Sequence, residues 1–106
     1  MTPSARLVFC TCPDEASADR LAETLVGEHL AACVTRIPGA QSTYFWQGQI
    51  QRDAEVLLLI KTTEDRYPAL EAHIQALHPY EVPEILAVPI LRGLPAYLQW
   101  LEKQCT

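Results

Sequence analysis

Hydrophobic and polar positions follow two different periods along this chain, and the first change of period predicts a strand followed by a helix. The short apolar run Arg6–Cys12 is typical of a strand that is covered on both faces. Asp14 and Glu15 then favour a helix start, because Asp caps well and acidic side chains suit the positive end of the helix dipole. The predicted buried stripe contains Ala18, Leu21, Ala22, Leu25, Val26, His29 and Leu30. We therefore expect His29 to be a partly buried histidine at the helix end.

The next segment predicts a long hairpin with an interrupted first arm. Residues 31–37 have the composition of a strand, Pro38 and Gly39 break it, and residues 42–46 resume it. Residues 47–49 then turn the chain, and Ile50 begins the return arm. Tyr44 and Trp46 suit an aromatic ligand wall, a core or a subunit interface, and we favour the interface.

The second half of the chain repeats the order strand, helix, strand. The run Glu55–Lys61 is the most apolar strand of the sequence. The helix that follows is expected to bury Tyr67, Leu70, Ile74 and Leu77, and to end before Pro79. A fourth strand is predicted over Ile85–Leu91, with Pro89 inside it. A last short helix is predicted to carry a stripe of Leu94, Tyr97, Leu98 and Leu101.

This order of elements predicts an α+β fold, built as a single domain over residues 1–106. A βαββαβ pattern with a terminal helix favours a ferredoxin-like antiparallel sheet with both main helices on one face. Two right-handed crossovers give the strand order 4-1-3-2. The prolines agree, because Pro38 and Pro89 fall in strands two and four, which this order places at the edges.

The apolar strand requires burial on both faces of the sheet. Helices protect one face of the sheet, yet residues 56–60 show no polar alternation, so the other face also requires burial. Long strand edges are also sites where a second chain can pair. The sequence therefore predicts self-association through the sheet.

The connector His78–Ile85 combines a histidine, a tyrosine and two carboxylates in one short segment. Pro79 and Pro83 fix φ at two places and bias the residues before them away from helix. One interpretation is a helix-to-strand connector that satisfies its own backbone while Tyr80 packs its ring. The other is a ligand cleft formed by His78, Tyr80, Glu81 and Glu84, on a segment stiffened by its prolines.

Composition excludes several classes of protein. Hydrophobic residues make up 49% of the chain and charged residues 20%, as is usual for a globular protein. The formal net charge of −5 disfavours a nucleic-acid partner, and no apolar run approaches the ~20 residues of a membrane helix. The first six residues lack the pattern of a signal peptide, so a cytoplasmic location is predicted. No phosphate-binding glycine loop or catalytic triad is evident, and we expect no enzymatic activity.

Cysteine usage suggests reduced thiols with a possible metal-binding pair. The four cysteines, at positions 10, 12, 33 and 105, do not resemble a secreted disulfide framework. Cys10 and Cys12 fall on one face of the first strand, ~6.5–7 Å apart along it. Thiolates suit Cu(I) or Zn(II), and a histidine from the connector can add a ligand. The alternative is that both cysteines are small buried hydrophobic residues.

Five segments together resemble the CutA divalent-cation-tolerance family. They are residues 11–15 (TCPDE), 30–34 (LAACV), 42–48 (STYFWQG), 60–63 (IKTT) and 78–84 (HPYEVPE). The similarity extends from about Leu7 to Leu101. It implies a ferredoxin-like subunit, a homotrimer similar in architecture to PII-type signal proteins, and a cytoplasmic role in divalent-metal tolerance. In such trimers the long hairpin reaches over a neighbouring subunit.

The resemblance also implies a copper site. The family's proposed ligands are a first-strand cysteine and two consecutive histidines before the Pro-Tyr pair, which correspond here to Cys10 and His78. Leu77 stands in place of the other histidine. Copper or another divalent cation is thus the expected cofactor. A second hypothesis is a PII-like signalling or scaffold trimer that binds a small anion, for which Lys61 is a candidate if it is not simply a solvated lysine.

Overall fold

A computed structural model describes residues 4–106 of the protein and confirms the predicted order of elements. The elements are β1 (Ala5–Cys12), α1 (Glu15–Gly27), β2 (Cys33–Trp46), β3 (Gln49–Thr63), α2 (Tyr67–Leu77), β4 (Leu86–Pro89) and α3 (Pro95–Gln104). The four strands form one sheet in the order β2-β3-β1-β4, and every neighbouring pair is antiparallel. This is the predicted ferredoxin-like order, read from the opposite edge.

β1 is an inner strand of the sheet, between β3 and β4. β1 pairs along its whole length with β3, and residues Arg6 to Phe9 also pair with β4. Pro38 and Pro89 lie in the edge strands β2 and β4, as their missing N–H groups require. The first half of β1 therefore has a paired strand on both sides, whereas Cys10 and Cys12 pair with β3 alone.

Both main helices pack on one face of the sheet. The core between them is made of alternate residues of β1 and β3 together with the apolar faces of α1 and α2. Its largest fully buried side chains include Val8, Leu21, Leu25, Leu58, Ile60, Leu70 and Ile74. On the opposite face, Leu57 and Leu59 of β3 are only half-buried within the subunit. The sheet thus has one closed face and one incompletely covered face.

The start of α1 is as predicted, whereas its end corrects the prediction for His29. Asp14 caps the helix by accepting a hydrogen bond from the Ser17 N–H at 2.7 Å. The helix ends at Gly27, and His29 takes a left-handed conformation with φ of 59°. The Leu30 N–H bonds to the Leu25 carbonyl at 2.9 Å, which is the bond of a Schellman cap.

His29 is consequently exposed rather than partly buried. Its Nδ1 lies 3.1 Å from the Gln104 carbonyl oxygen at the surface. The predicted stripe fails there because the cap reverses the chain, so Leu30 enters the core from the turn and not from the helix. The next strand starts at Cys33 instead of residue 31 for the same reason.

The β2–β3 hairpin projects beyond the rest of the sheet. A register shift between Ile37 and Ala40 marks the predicted bulge, where Gly39 has φ of 86°. Beyond it, residues 40–46 pair with residues 49–55, and β1 does not extend alongside them. Gln47 and Gly48 both have positive φ, as a two-residue hairpin turn with the right twist demands. The subunit is accordingly elongated, with principal extents of 45 × 25 × 23 Å.

The C-terminal part differs from prediction in two details. β4 covers only Leu86–Pro89 instead of residues 85–91; beyond it the Ile90 N–H still bonds to the carbonyl of Ala5, the first residue of β1, at 3.0 Å. In α3, Leu101 is buried and Leu98 half-buried, but Leu94 and Tyr97 are 71% and 42% exposed. The predicted stripe of α3 is therefore only partly buried within one subunit. Within residues 4–106, every helix is too short or too polar to cross a membrane.

Candidate metal centre

Two elements bring three potential metal ligands together. Cys10 and Cys12 lie two residues apart on β1, so both point to the face that the helices cover, and both are fully buried. His78 immediately follows α2 and has an extended backbone, with ψ of 139°, as its position before Pro79 favours. It is 7% exposed. The placement of the thiols on one face, and of His78 beside them, agrees with the sequence analysis.

The three side chains form a compact cluster. One ligand atom from each of Cys10, Cys12 and His78 lies within 4.8 Å of the others. Two sulfurs bound to one zinc ion at about 2.3 Å each would be about 3.8 Å apart in a tetrahedral site. Because all three ligand atoms lie within 4.8 Å of one another, the cluster is compact enough for its members to share one ion. Two thiols and an imidazole form a donor set that suits soft and borderline metals.

The two thiols affect each other's ionisation. A hydrogen bond with Cys12, together with burial, raises the pKa of Cys10 well above its ordinary value. The same bond lowers the pKa of Cys12 because it stabilises the thiolate there, although burial opposes this effect. The pair can therefore lose a first proton much more readily than a second. Because thiolates are the metal-binding form, a cation entering this site would have to displace protons.

His78 already uses both of its ring nitrogens. The backbone N–H of Tyr80 donates to Nδ1 at 3.0 Å, and Nε2 lies 2.7 Å from the Thr11 carbonyl oxygen. A backbone N–H can only donate and a carbonyl oxygen can only accept. With these partners, Nδ1 accepts and Nε2 donates, so the imidazole is neutral and carries its proton on Nε2. His78 thus connects β1, through Thr11 between the two cysteines, to the start of the connector.

Tyr80 extends this set of contacts to β3. Its hydroxyl donates to Glu55 Oε2 at 3.1 Å, and its ring centroid lies 4.9 Å from that of His78. Burial, and then the hydrogen bond to Glu55, raise the pKa of Tyr80 to about 12. The phenol therefore stays protonated at neutral pH and serves as the donor to Glu55. Glu55 is 7% exposed, so this bond provides a partner for a buried carboxylate.

The remaining predicted site residues are spread more widely. Glu81 lines a shallow cleft of about 220 Å³, together with Glu71, Gln75, Val82, Pro83 and Ile85. Glu84 is exposed, although its charge is near enough to contribute to the raised pKa of Cys10. Lys61 is not near the connector. Its ammonium donates to Thr35 Oγ1 at 2.6 Å and lies 4.0 Å from Cys33 Sγ.

Sequence reasoning missed Glu55 and Thr11. Glu55 stands at the start of the most apolar strand, and a carboxylate there was a signal that a buried partner exists. The role of Thr11 comes from its backbone carbonyl, which no side-chain pattern can identify. Both residues bond directly to the connector side chains, so they determine how His78 and Tyr80 are held.

The fold and the cluster together define a ferredoxin-like α+β protein with a buried group of thiol and imidazole side chains that could hold a metal ion. Residues 6–104 match the family described as CutA1 divalent ion tolerance protein. The chain belongs to this family.

Individual relatives support the assignment over nearly the whole chain. The chain is 49% identical over 98 residues to the divalent-cation tolerance protein CutA of Yersinia pestis (strain Pestoides F), covering 92% of this chain and 82% of the relative. The crystal structure of CutA from Xylella fastidiosa superposes with a TM-score of 0.96 at 48% identity, covering 97% of this chain and 99% of that one. The periplasmic divalent cation tolerance protein CutA from Archaeoglobus fulgidus gives a TM-score of 0.93 at 31% identity, covering 96% and 99%.

Proposed function

We propose that this protein acts in divalent-cation tolerance as a homotrimer that binds copper or another divalent cation through Cys10, Cys12 and His78. The observation that carries the proposal is the cluster of three soft or borderline ligand atoms within 4.8 Å of one another. The names of its relatives, which are divalent-cation tolerance proteins, support the same function. When bound, the cation would be held by sulfur and nitrogen and shielded from water.

The residues present fit such a cation in number and in chemical type. Both cysteines are free, and each can supply a thiolate. His78 can supply a neutral imidazole nitrogen once it releases a present hydrogen bond. Leu77 packs against the core instead of adding a second imidazole, and Cys12 supplies the third donor.

The surface of the subunit supports the trimer. Three apolar side chains at the end of the hairpin are largely exposed: Phe45 by 72%, Trp46 by 60% and Ile50 by 55%. A two-stranded hairpin is marginal when it stands alone in water, and this one continues past β1 without a third strand. Packing of the hairpin against a neighbouring subunit would bury these side chains. The half-buried face of β3 offers a second surface for the same contact.

The metal site is tested by titration calorimetry with Zn²⁺ and, under reducing conditions, with Cu(I) supplied from a competing chelator. We expect no more than one ion per subunit, because the cluster offers a single set of ligands. Cys10→Ser and Cys12→Ser should each weaken the binding of either ion by roughly tenfold or more, and His78→Asn should weaken the binding of Zn²⁺ by a similar factor, since each removes one of few ligands. Acidification should also weaken binding, because protons compete for the thiolates.

Cys33→Ser is the matched control. This thiol lies on β2 next to Lys61 and outside the cluster, so its removal should leave the affinity unchanged. Gel filtration with light scattering on every variant would confirm that assembly is unaffected. Equal affinity of all four variants and the parent would show that surface carboxylates bind the ion and that the proposed site is wrong.

The other expectations remain predictions. A PII-like module binding a small anion is not favoured by a specific contact in residues 4–106, since the Lys61 ammonium bonds to Thr35. The cytoplasmic location is untested, and one relative is named as periplasmic. The expectations that the chain has no enzymatic activity and no nucleic-acid or membrane partner also stay open to experiment.

A further inference from the structure

His78 cannot bind a metal ion and also accept its present hydrogen bond from the Tyr80 N–H. We propose that a cation that recruits His78 necessarily frees the Tyr80 N–H and loosens the connector, whereas a cation satisfied by Cys10 and Cys12 alone does not. The connector would then respond to divalent ions such as Zn²⁺ and not to two-coordinate monovalent ions such as Ag⁺. This inference rests on the proposed metal site and concerns its regulation.

The incompatibility follows from the two possible modes of ligation. If Nδ1 binds the ion, its lone pair is no longer available to the Tyr80 N–H that now donates to it at 3.0 Å. If Nε2 binds the ion, the proton of the neutral ring moves to Nδ1, and two N–H groups then face each other. The Tyr80 N–H loses its acceptor in both modes. The Nε2 mode also breaks the bond to the Thr11 carbonyl.

The class of cation decides whether His78 is needed. A soft monovalent ion is satisfied by two sulfur donors, and Cys10 and Cys12 supply them from one strand. Zinc prefers four ligands, and the imidazole is the third donor of the cluster. Each thiol that becomes a ligand releases one proton to solvent, and no electron is transferred. The two classes of ion can therefore occupy the same thiols with different effects on His78.

Release of the Tyr80 N–H reaches the protein surface through the connector. Tyr80 is held at two points, by its N–H on His78 and by its hydroxyl on Glu55. Two residues further, Val82 is 86% exposed and lines the shallow cleft with Glu81 and Pro83. Loss of the first bond leaves the connector attached by the Tyr80 hydroxyl and, at its far end, by Ile85, which packs against the core, so the residues between them gain freedom. A change at the buried cluster thereby alters a segment that is accessible to a partner.

Amide hydrogen exchange at Tyr80, followed by NMR in the reduced full-length protein, tests the proposal. One equivalent of Zn²⁺ per subunit should accelerate exchange of this amide by roughly tenfold or more, because its acceptor is removed. One equivalent of Ag⁺ should leave the rate unchanged. Ultraviolet absorption of metal–thiolate bonds verifies that each ion has reached the thiols. The ¹⁵N chemical shifts of the two His78 ring nitrogens, measured in the same samples, should change with Zn²⁺ and not with Ag⁺.

His78→Asn provides the matched variant. An Asn side-chain oxygen can accept the N–H two residues later, so this variant can keep the Tyr80 bond while losing the imidazole. Zn²⁺ should then fail to accelerate exchange. Failure of both ions to form metal–thiolate bonds would overturn the metal site itself. Zinc–thiolate bonds with Tyr80 exchange unchanged, or equal acceleration by Ag⁺, would leave the metal site standing and overturn the connector response alone.

Discussion

Leu58→Ala is expected to lower the free energy of unfolding by about 3 kcal/mol, as is common when a fully buried leucine is truncated. Leu58 is 0% exposed and belongs to the core between the sheet and both helices. It also lies opposite Cys10 on β1 and Arg36 on β2, so a cavity there adjoins the centre of the sheet. Urea denaturation at a fixed protein concentration measures the loss.

Leu59→Ala is the control for this prediction. Leu59 is the next residue of β3, has the same side chain and points to the incompletely covered face. In an isolated subunit its truncation should cost clearly less than that of Leu58. Nearly equal losses would indicate that a neighbouring subunit buries Leu59. A loss below about 1 kcal/mol for Leu58→Ala would contradict the assignment of the core.

Trp46→Ala is expected to dissociate the proposed trimer at concentrations at which we expect the parent protein to be assembled. Trp46 is 60% exposed in the subunit, close to Phe45 and Ile50 at the end of the hairpin. Removal of a buried interface tryptophan commonly costs ~2 kcal/mol or more, which corresponds to roughly thirtyfold in a dissociation constant. Gel filtration coupled to light scattering, over a range of concentrations, measures the shift.

Thr43→Ala tests whether the effect is specific. Thr43 is an exposed residue on the same strand of the hairpin and has a small side chain, so its truncation should leave assembly nearly unchanged. A parent protein that is a stable folded monomer of 11.9 kDa at low micromolar concentration would refute the trimer and the interface role of Trp46 together.

The order of strands could be predicted because a few residues have restricted positions in a sheet. Pro38 and Pro89 cannot donate in a central ladder, and the apolar run of β3 requires neighbours on both sides. The start of α1 was equally clear from Asp14, and the end of α2 from Pro79. In each case the local chemistry of one or two side chains determines the outcome.

The errors arose where the backbone, and not the side-chain pattern, decides the structure. His29 fits the helical period but takes a left-handed conformation in the cap, a role that glycine usually fills. Residues 85 and 90–91 fit a strand by composition, yet β4 covers only Leu86–Pro89, and its partner β1 begins at Ala5. These features depend on dihedral angles and on where the partner strand begins, which hydrophobic periodicity does not report.

In the candidate site, the shared face of the two cysteines could be predicted, whereas the hydrogen bonds around them could not. Strand geometry places Cys10 and Cys12 on one face, and the sequence analysis named His78 as a residue that the connector could add. The bond from His78 to the Thr11 carbonyl and the bond from Tyr80 to Glu55 depend on tertiary contacts between distant segments. Lys61 could not be excluded from the cleft until the position of Thr35 was known.

The position of β1 in the middle of the sheet also has a consequence for how the protein folds. The β2–β3 hairpin joins residues no more than 28 positions apart, whereas β1 pairs with β3 over separations of 44 to 58 residues. Closing the longer loops costs more chain entropy, so the hairpin is favoured to form first and β1 to dock on it later. Cys10 and Cys12 would remain exposed to oxidants until β1 docks. The rate at which Cys10 and Cys12 lose their reactivity with a thiol reagent during refolding would therefore report when β1 docks.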